Sequence, residues 1–298
     1  MDVIAIKGLE KVFGDRQVLS NISFSVGQGK ICGFIGPNGA GKTTTIRVLL
    51  NLIKPTNGNC QILGMDLSDN SYLKEVGAMI EGPAFYPNLS GISNLKVLAA
   101  LGGIDKKRAE DLIKLVGLGD RAKSKFKSYS LGMKQRLGIA AALLPDPKIL
   151  ILDEPTNGLD PNGIQEIRNI ILELASTGTS VFVSSHILSE LEMISEYVVM
   201  LRKGEILFNG LTKDLLGNRT SVTSLKPEYQ VDLNRLVEIV TSLGYEPVIA
   251  NGKVHIPVNH DIGAILNRTF YEVGVTLSEI STQQPTLEET FFEMTGGI

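Results

Sequence analysis

No apolar run in this 298-residue chain comes near the roughly 20 residues that a bilayer-spanning helix needs. The nearest candidate, residues 137–144, stops at Pro145, Asp146 and Pro147. A direct membrane span is not expected, and the mean hydropathy of +0.12 is read as a core signal. Cysteine is scarce as well. Cys32 and Cys60 are far apart, and each sits among apolar neighbours. That speaks against a disulfide framework or a metal-binding cysteine set, and leaves buried free thiols in a reducing compartment. An excess of one charge is also missing. Lys and Arg number 29 against 32 Asp and Glu, a net charge of −3, so nothing draws the whole chain to nucleic acid or anionic lipid. Met1, Asp2 and Val3 do not begin a basic stretch followed by an apolar one, so no targeting segment is expected. Neither an internal repeat nor a low-complexity tract is present.

What is there is ordinary globular material: 43% hydrophobic, 6% aromatic and 20% charged residues, enough for a sizeable core. The length suggests about two domains. Through roughly residue 215, short β-branched apolar runs alternate with helix-like segments. Residues 3–6, 31–35, 148–152 and 180–183 read as strands, and 44–52 as an amphipathic helix. Such alternation predicts an α/β core with parallel strands. Between 86 and 128 the pattern is helical. Leu95, Leu98 and Leu101 share a face, as do Leu112, Ile113 and Val116, which reads as an inserted helical subdomain. Residues 220–298 differ. Leu233, Leu236, Val237, Val240 and Leu243 keep a helical period that stops at Gly244. Pro247 precedes residues 248–256, which read as a hairpin turning on Asn251 and Gly252. Ile262, Ile265 and Leu266 begin another helix, ending near Gly274. Thr286 with Glu289 is a capping box before Phe291 and Phe292. This part is expected to be a small α+β domain. Its His255 and His260 are isolated and imply no metal site.

The chemistry starts at Gly36, Pro37, Asn38, Gly39, Ala40, Gly41, Lys42 and Thr43, with Thr44 next. This is the spacing of a phosphate-binding loop. Glycines let backbone amides converge on phosphate oxygens, and the following helix points its positive end at the anion. Lys42 supplies a full charge near the β- and γ-phosphates, and the Thr43 hydroxyl can ligate Mg²⁺. The strand before the loop and the helix after it are the required context. A second apolar strand, 148–152, ends in Asp153 and Glu154. Alternation sends these two carboxylates in different directions, so one can hold Mg²⁺ while the other orients water.

With these in place, the chain resembles the ABC ATPase family over about residues 1–215. Ser130, Leu131, Gly132, Met133, Lys134, Gln135 and Arg136 resemble the family signature. Asp153, Glu154 and Pro155 resemble its acidic strand end; Gly158, Leu159 and Asp160 its D-loop; Ser184, Ser185 and His186 its switch-histidine segment. Lys11, Val12, Phe13 and Gly14 resemble its adenine-stacking segment. All five follow the family's order. The bland alternatives are that Phe13 is plain core and that His186, taken without the motif order, is a structural histidine.

The resemblance implies a P-loop NTPase fold, ATP and Mg²⁺ as ligands, and a head-to-tail dimer, with itself or a paired ATPase subunit, enclosing two ATP molecules. Phe13 would stack on adenine. Lys42 and the loop amides would hold phosphates, and Thr43 and Asp153 would hold Mg²⁺. Glu154 would polarise water and His186 would contact the γ-phosphate. Ser130 and Gly132 would reach the partner's ATP, and Asp160 would connect the two sites. It implies integral membrane permease subunits as partners, no nucleic acid, and a cytoplasmic location, peripheral on the inner face of the membrane through the permease.

Two departures stand out. Leu131 and Met133 replace a glycine and a glutamine of the usual signature. Glu81 stands where the family usually has glutamine. A carboxylate there can ligate Mg²⁺, but at about 6 Å and an effective dielectric of about 20 it repels a phosphate charge by roughly 3 kcal/mol. Glu81 with residues 82–89, and Tyr129 to Met133, resemble the ATPases of peptide-antibiotic exporters, those of lantibiotic-immunity and bacitracin-resistance systems. This implies a permease contacted near Glu81 to Leu89. The alternatives are an ABC ATPase for another cargo, or a soluble ABC-type ATPase acting on ribosomes or DNA. One phosphate loop rather than two, no long coiled coil between Thr44 and Ser130, and a net charge of −3 argue against the soluble kinds.

Overall fold

Two long strands open the chain, β1 (Asp2–Phe13) and β2 (Arg16–Gly27), paired antiparallel across Gly14 and Asp15. In β2, Leu19, Ile22, Phe24 and Val26 are buried, while Gln17, Asn21, Ser23 and Ser25 face out, the period of a half-buried strand. The chain continues through β3 (Ile31–Ile35), α1 (Lys42–Leu49), β4 (Asn57–Ile62), β5 (Met65–Asp66) and β6 (Val76–Met79). Three helices follow, α2 (Gly91–Leu101), α3 (Lys106–Leu115) and α4 (Leu131–Ala142). Then come β7 (Ile149–Asp153), α5 (Pro161–Ser176), β8 (Ser180–Ser185), α6 (Leu188–Glu192), β9 (Tyr197–Arg202) and β10 (Glu205–Leu211). The computed structural model describes every residue except 83, 218–220, 230, 231, 259, 260, 285 and 295–298. Pro83, His260 and the expected boundary at 220 therefore lie outside the described residues.

The chain divides into two units, Met1–Thr212 and Lys213–Ile298. The first holds two sheets. One is antiparallel, in the order β2-β1-β4-β5. The other has the order β10-β9-β3-β8-β7-β6, parallel from β9 to β6, with β10 antiparallel at its edge. β3, β7 and β8 are buried at every position, which is why they read as unbroken apolar runs. Phe24, Phe34 and Phe182 stack between the sheets, with centroids 5.1–6.0 Å apart. The antiparallel sheet is absent from the sequence reading, which saw only residues 3–6 of β1. Interleaved polar residues in β2 and in β4 concealed it.

Parallel register has a consequence for function. Ile35 lies opposite Ser185, and Asp153 opposite Ser184. The carboxyl ends of β3, β7 and β8 therefore share one edge, where ligands of open α/β sheets bind.

α2 and α3 carry the expected helical period, with one difference. Leu95 and Ala99 are buried, while Leu98 is 37% and Leu101 80% exposed. Repeated steps of three drift around a 3.6-residue turn, so the buried stripe follows steps of four. No helix among the described residues is long and apolar enough to cross a membrane.

The second unit contains α7 (Thr212–Gly217), which begins at the boundary, then β11 (Ser221–Pro227), α8 (Leu233–Ser242), β12 (Val248–Ala250), β13 (Lys253–Val258), α9 (Gly263–Glu272), β14 (Leu277–Gln283) and α10 (Leu287–Met294). From β11 to β14 this is a β-α-β-β-α-β arrangement with sheet order β12-β13-β11-β14. Leu225, Leu236, Val240, Val254, Ile256 and Leu266 belong to its own core. The hairpin turns on Asn251 and Gly252, both at positive φ, as a two-residue primed turn demands. At α10, the Thr286 hydroxyl accepts from the Glu289 amide at 3.1 Å, and the Glu289 carboxylate accepts from the Thr286 amide at 2.9 Å.

Candidate nucleotide site

The loop between β3 and α1 is shaped by its glycines. A side chain at Gly36 would lie 2.4 Å from the Leu201 carbonyl oxygen, and Gly41 has φ +113°. Gly41 caps α1 without a side chain, and no acid occupies the first turn, so the helix start keeps its amide donors and positive end for an anion.

Lys42 is 5% exposed. Its ammonium donates to the Gly36 carbonyl at 2.6 Å and lies 3.0 Å from a Glu154 carboxylate oxygen. The other Glu154 oxygen lies 2.6 Å from His186 Nδ1 and also accepts from the His186 amide at 3.3 Å. Lys42 at the start of α1, Glu154 just after β7 and His186 just after β8 thus form one chain of contacts. Beside it the Ser184 hydroxyl donates to Asp153 at 2.6 Å and accepts from the Glu154 amide at 3.0 Å. Asp153 is nearly fully buried at the end of β7. Glu154 turns out of the strand with φ +50°, a left-handed backbone for a non-glycine residue, which aims its carboxylate at the loop.

A pocket of about 340 Å³ opens onto this cluster, lined by the phosphate loop with Thr43 and Thr44, by Glu154, and by Arg16 and Val18 of β2. Arg16 and Val18 were missed in the sequence. The signal was present only as pairing: Arg16 is the strand partner of Phe13 across the turn at residues 14 and 15.

The remaining expected residues stand apart from this pocket. Phe13 is 47% exposed, with the Lys11 ammonium 4.7 Å from its ring centroid. Ser130 caps α4, accepting from the Met133 amide at 3.3 Å, and Gly132 lies in its first turn. Asp160 caps α5, accepting from the Gly163 amide at 3.1 Å. Glu81, with φ +57°, pairs with Arg47 of α1 rather than joining Lys42, Asp153 and Glu154.

Known proteins match this chain along its length. A family model described as ABC transporter covers residues 19–157. The bacitracin transport ATP-binding protein BcrA of Enterococcus faecalis is 37% identical, aligning 99% of this chain with 97% of that protein. The chain belongs to the ABC transporter ATP-binding proteins. The lantibiotic transport ATP-binding protein SrtF of Streptococcus pyogenes is 43% identical over 69% of this chain and 89% of its own. A dimeric ATP-binding cassette solved in a post-hydrolysis state with ADP and Pi superposes with a TM-score of 0.63 at 26% identity, covering 70% of this chain and 98% of that one. As an ABC ATPase, this chain binds ATP and hydrolyses it, and it serves a transporter. The fold is that of the P-loop ABC cassette.

Proposed function

We propose that this ABC ATPase drives export of peptide antibiotics through a separate membrane permease, giving its host immunity or resistance. The observation that carries this reading is the pairing of full-length similarity to a bacitracin transport subunit with 43% identity to a lantibiotic transport subunit. Those two cargoes share a peptide character and little else, so the cargo proposed is the class. The residues at 81–89 support the same reading, because Glu81 replaces the usual glutamine where the permease is expected to dock.

The roles rest on the family resemblance, supported by the geometry and charge around Lys42 and Glu154. The amides at the start of α1 and the Lys42 ammonium bind the phosphates. Phe13 stacks on the base, with Arg16 near the phosphates or ribose. Glu154 accepts a proton from, or orients, the attacking water, and His186 holds the Glu154 carboxylate in place while facing the γ-phosphate. Asp153 and the Thr43 hydroxyl are hard oxygen donors, and with phosphate oxygens they suit Mg²⁺, which needs only one or two protein ligands. That ion would neutralise phosphate charge. Ser130 and Gly132 stand apart from the pocket of their own chain, in keeping with a role at the ATP of a second subunit. Asp160 links the two sites. The subunit then works as a homodimer or with a paired ATPase, on the cytoplasmic face of the membrane.

The test is a co-purification from the native host with tagged protein in mild detergent, joined to deletion of the gene. Recovery of a multi-spanning permease and a lowered tolerance to bacitracin or a lantibiotic are expected. Recovery of ribosomal proteins, or unchanged tolerance to every peptide antibiotic tried, would overturn it.

A further inference from the structure

A small cavity of about 20 Å³ borders the segments that carry Glu154 and His186 without including either residue. Pro155 and Thr156, next after Glu154, form part of its wall, and Ser185, next before His186, forms another. α5 contributes Arg168 and α6 contributes Glu190; the rest of the lining is apolar.

Two polar atoms of opposite character meet this cavity. Arg168 Nε and Glu190 Oε1 are buried, and neither has a hydrogen-bond partner among the described residues. No ion pair joins the two side chains directly. Burying a charged group without a partner is strongly unfavourable. Here one atom is an N–H donor and the other an acceptor. One water needs a cavity of about 10–15 Å³ and at least two polar partners. This cavity supplies both.

The wall at Ser185 leads to His186. The Ser185 hydroxyl accepts from the Ile187 amide at 2.9 Å and donates to the Ile187 carbonyl at 3.4 Å, closing a turn around His186. α6 begins at the next residue, Leu188. It has five residues and buries only Leu191, too little to hold so short a helix in place. α5 is firmly seated, with Ile167, Ile170, Ile171 and Leu174 buried along it.

We propose that Arg168 and Glu190 position His186. One internal water joins them across the cavity, anchoring α6 to α5 and so setting where the imidazole stands against Glu154. Neither residue lines the nucleotide pocket, and both act through the turn at 185–187. The inference rests on the role proposed above for His186 and adds the residues that hold it.

The test is single-turnover ATP hydrolysis by the whole protein. Glu190→Met removes the acceptor at similar volume. The rate should fall roughly ten- to hundred-fold, as it does when a reacting group is slightly misplaced, with KM for ATP nearly unchanged. Glu190→Gln keeps an oxygen at that place and should restore most of the rate. On a His186→Ala background, Glu190→Met should cause no further loss, because the group it displaces is already gone. A purely structural role would add its loss to that of His186→Ala. Ring position is read separately by imidazole ¹⁵N signals, which are few in a chain with three histidines. Glu190→Met and Arg168→Met should each shift the His186 signal and leave that of His255 in place. An undiminished loss on the His186→Ala background, or an unmoved His186 signal, overturns the inference. So does a crystal structure with Arg168 and Glu190 in direct contact and no water between them. If His186→Ala alone leaves the rate unchanged while the His186 signal still moves, the role proposed for His186 fails and the positioning stands.

Discussion

Lys42 and Glu154 face one another at the phosphate loop, ammonium to carboxylate at 3.0 Å. The residue proposed to bind phosphate and the residue proposed to serve water therefore contact each other directly. A phosphate entering the loop competes with the carboxylate for the same cation.

Glu154→Gln removes that competitor and the proposed general base together. Turnover should fall about a hundred-fold or more, while ATP affinity stays equal or improves. Gel filtration with ATP should show a persistent dimer. A monomer that still binds ATP would count against the two-subunit site.

Arg16 lines the pocket from β2, outside every sequence motif. Arg16→Ala should weaken ATP binding about five-fold, as expected for ~1 kcal/mol from one exposed ionic hydrogen bond, and leave kcat nearly unchanged. Nucleotide titration followed by fluorescence checks this. An unchanged Kd would remove Arg16 from the site.

Glu81 pairs with Arg47, and Glu81→Gln tests whether its charge is nevertheless felt at the nucleotide. With the carboxylate gone, ATP binding and dimer closure should need less Mg²⁺. Titrating Mg²⁺ against dimer formation and against hydrolysis, for both proteins, reads this. Superimposable curves would sink the idea.

Asp160 caps α5 through Gly163. Asp160→Ala should cost about 1 kcal/mol, lowering the melting temperature by roughly 2–4 °C for a unit of this size. Asp160→Asn, which can still cap, should restore the stability. Thermal melts of both variants decide.

Burial, with a smaller contribution from Asp66, pushes the Cys60 thiol from its ordinary 9.0 up to about 11. Burial raises Cys32 as well. The folded state holds these protons more tightly, so this stability is present below pH 9 and is lost as pH rises through 11. At pH 8 the Cys60 thiolate fraction is about a hundred-fold lower than in the unfolded chain. Iodoacetamide labelling read by mass spectrometry should be correspondingly slow until the protein unfolds.

The site was legible wherever chemistry fixes residue type and spacing together. Gly36 to Thr43 could be read because amides, glycines and a helix start must come in that order. Asp153 and Glu154 could be read because an apolar strand must stop there. Contacts between distant segments were not legible. The position of Arg16 depends on strand pairing, and Glu81 turns to Arg47 through a backbone angle that no spacing encodes. In the fold, β3, β7 and β8 announced themselves by continuous apolarity. β2 and β4, half-exposed and polar at alternate positions, gave no such signal.

Glu154 and Glu81 both close a strand with a left-handed backbone, φ +50° and +57°. Such a turn costs a side-chain-bearing residue on the order of 1 kcal/mol or more and costs glycine nothing. At Glu81 the exposed pairing with Arg47 offsets little of that cost, so selection for heat resistance alone would favour glycine there. At Glu154 the carboxylate also neutralises the buried Lys42, so glycine would exchange strain for an unpaired ammonium. A library screened by melting temperature would therefore drift at position 81 and hold at 154.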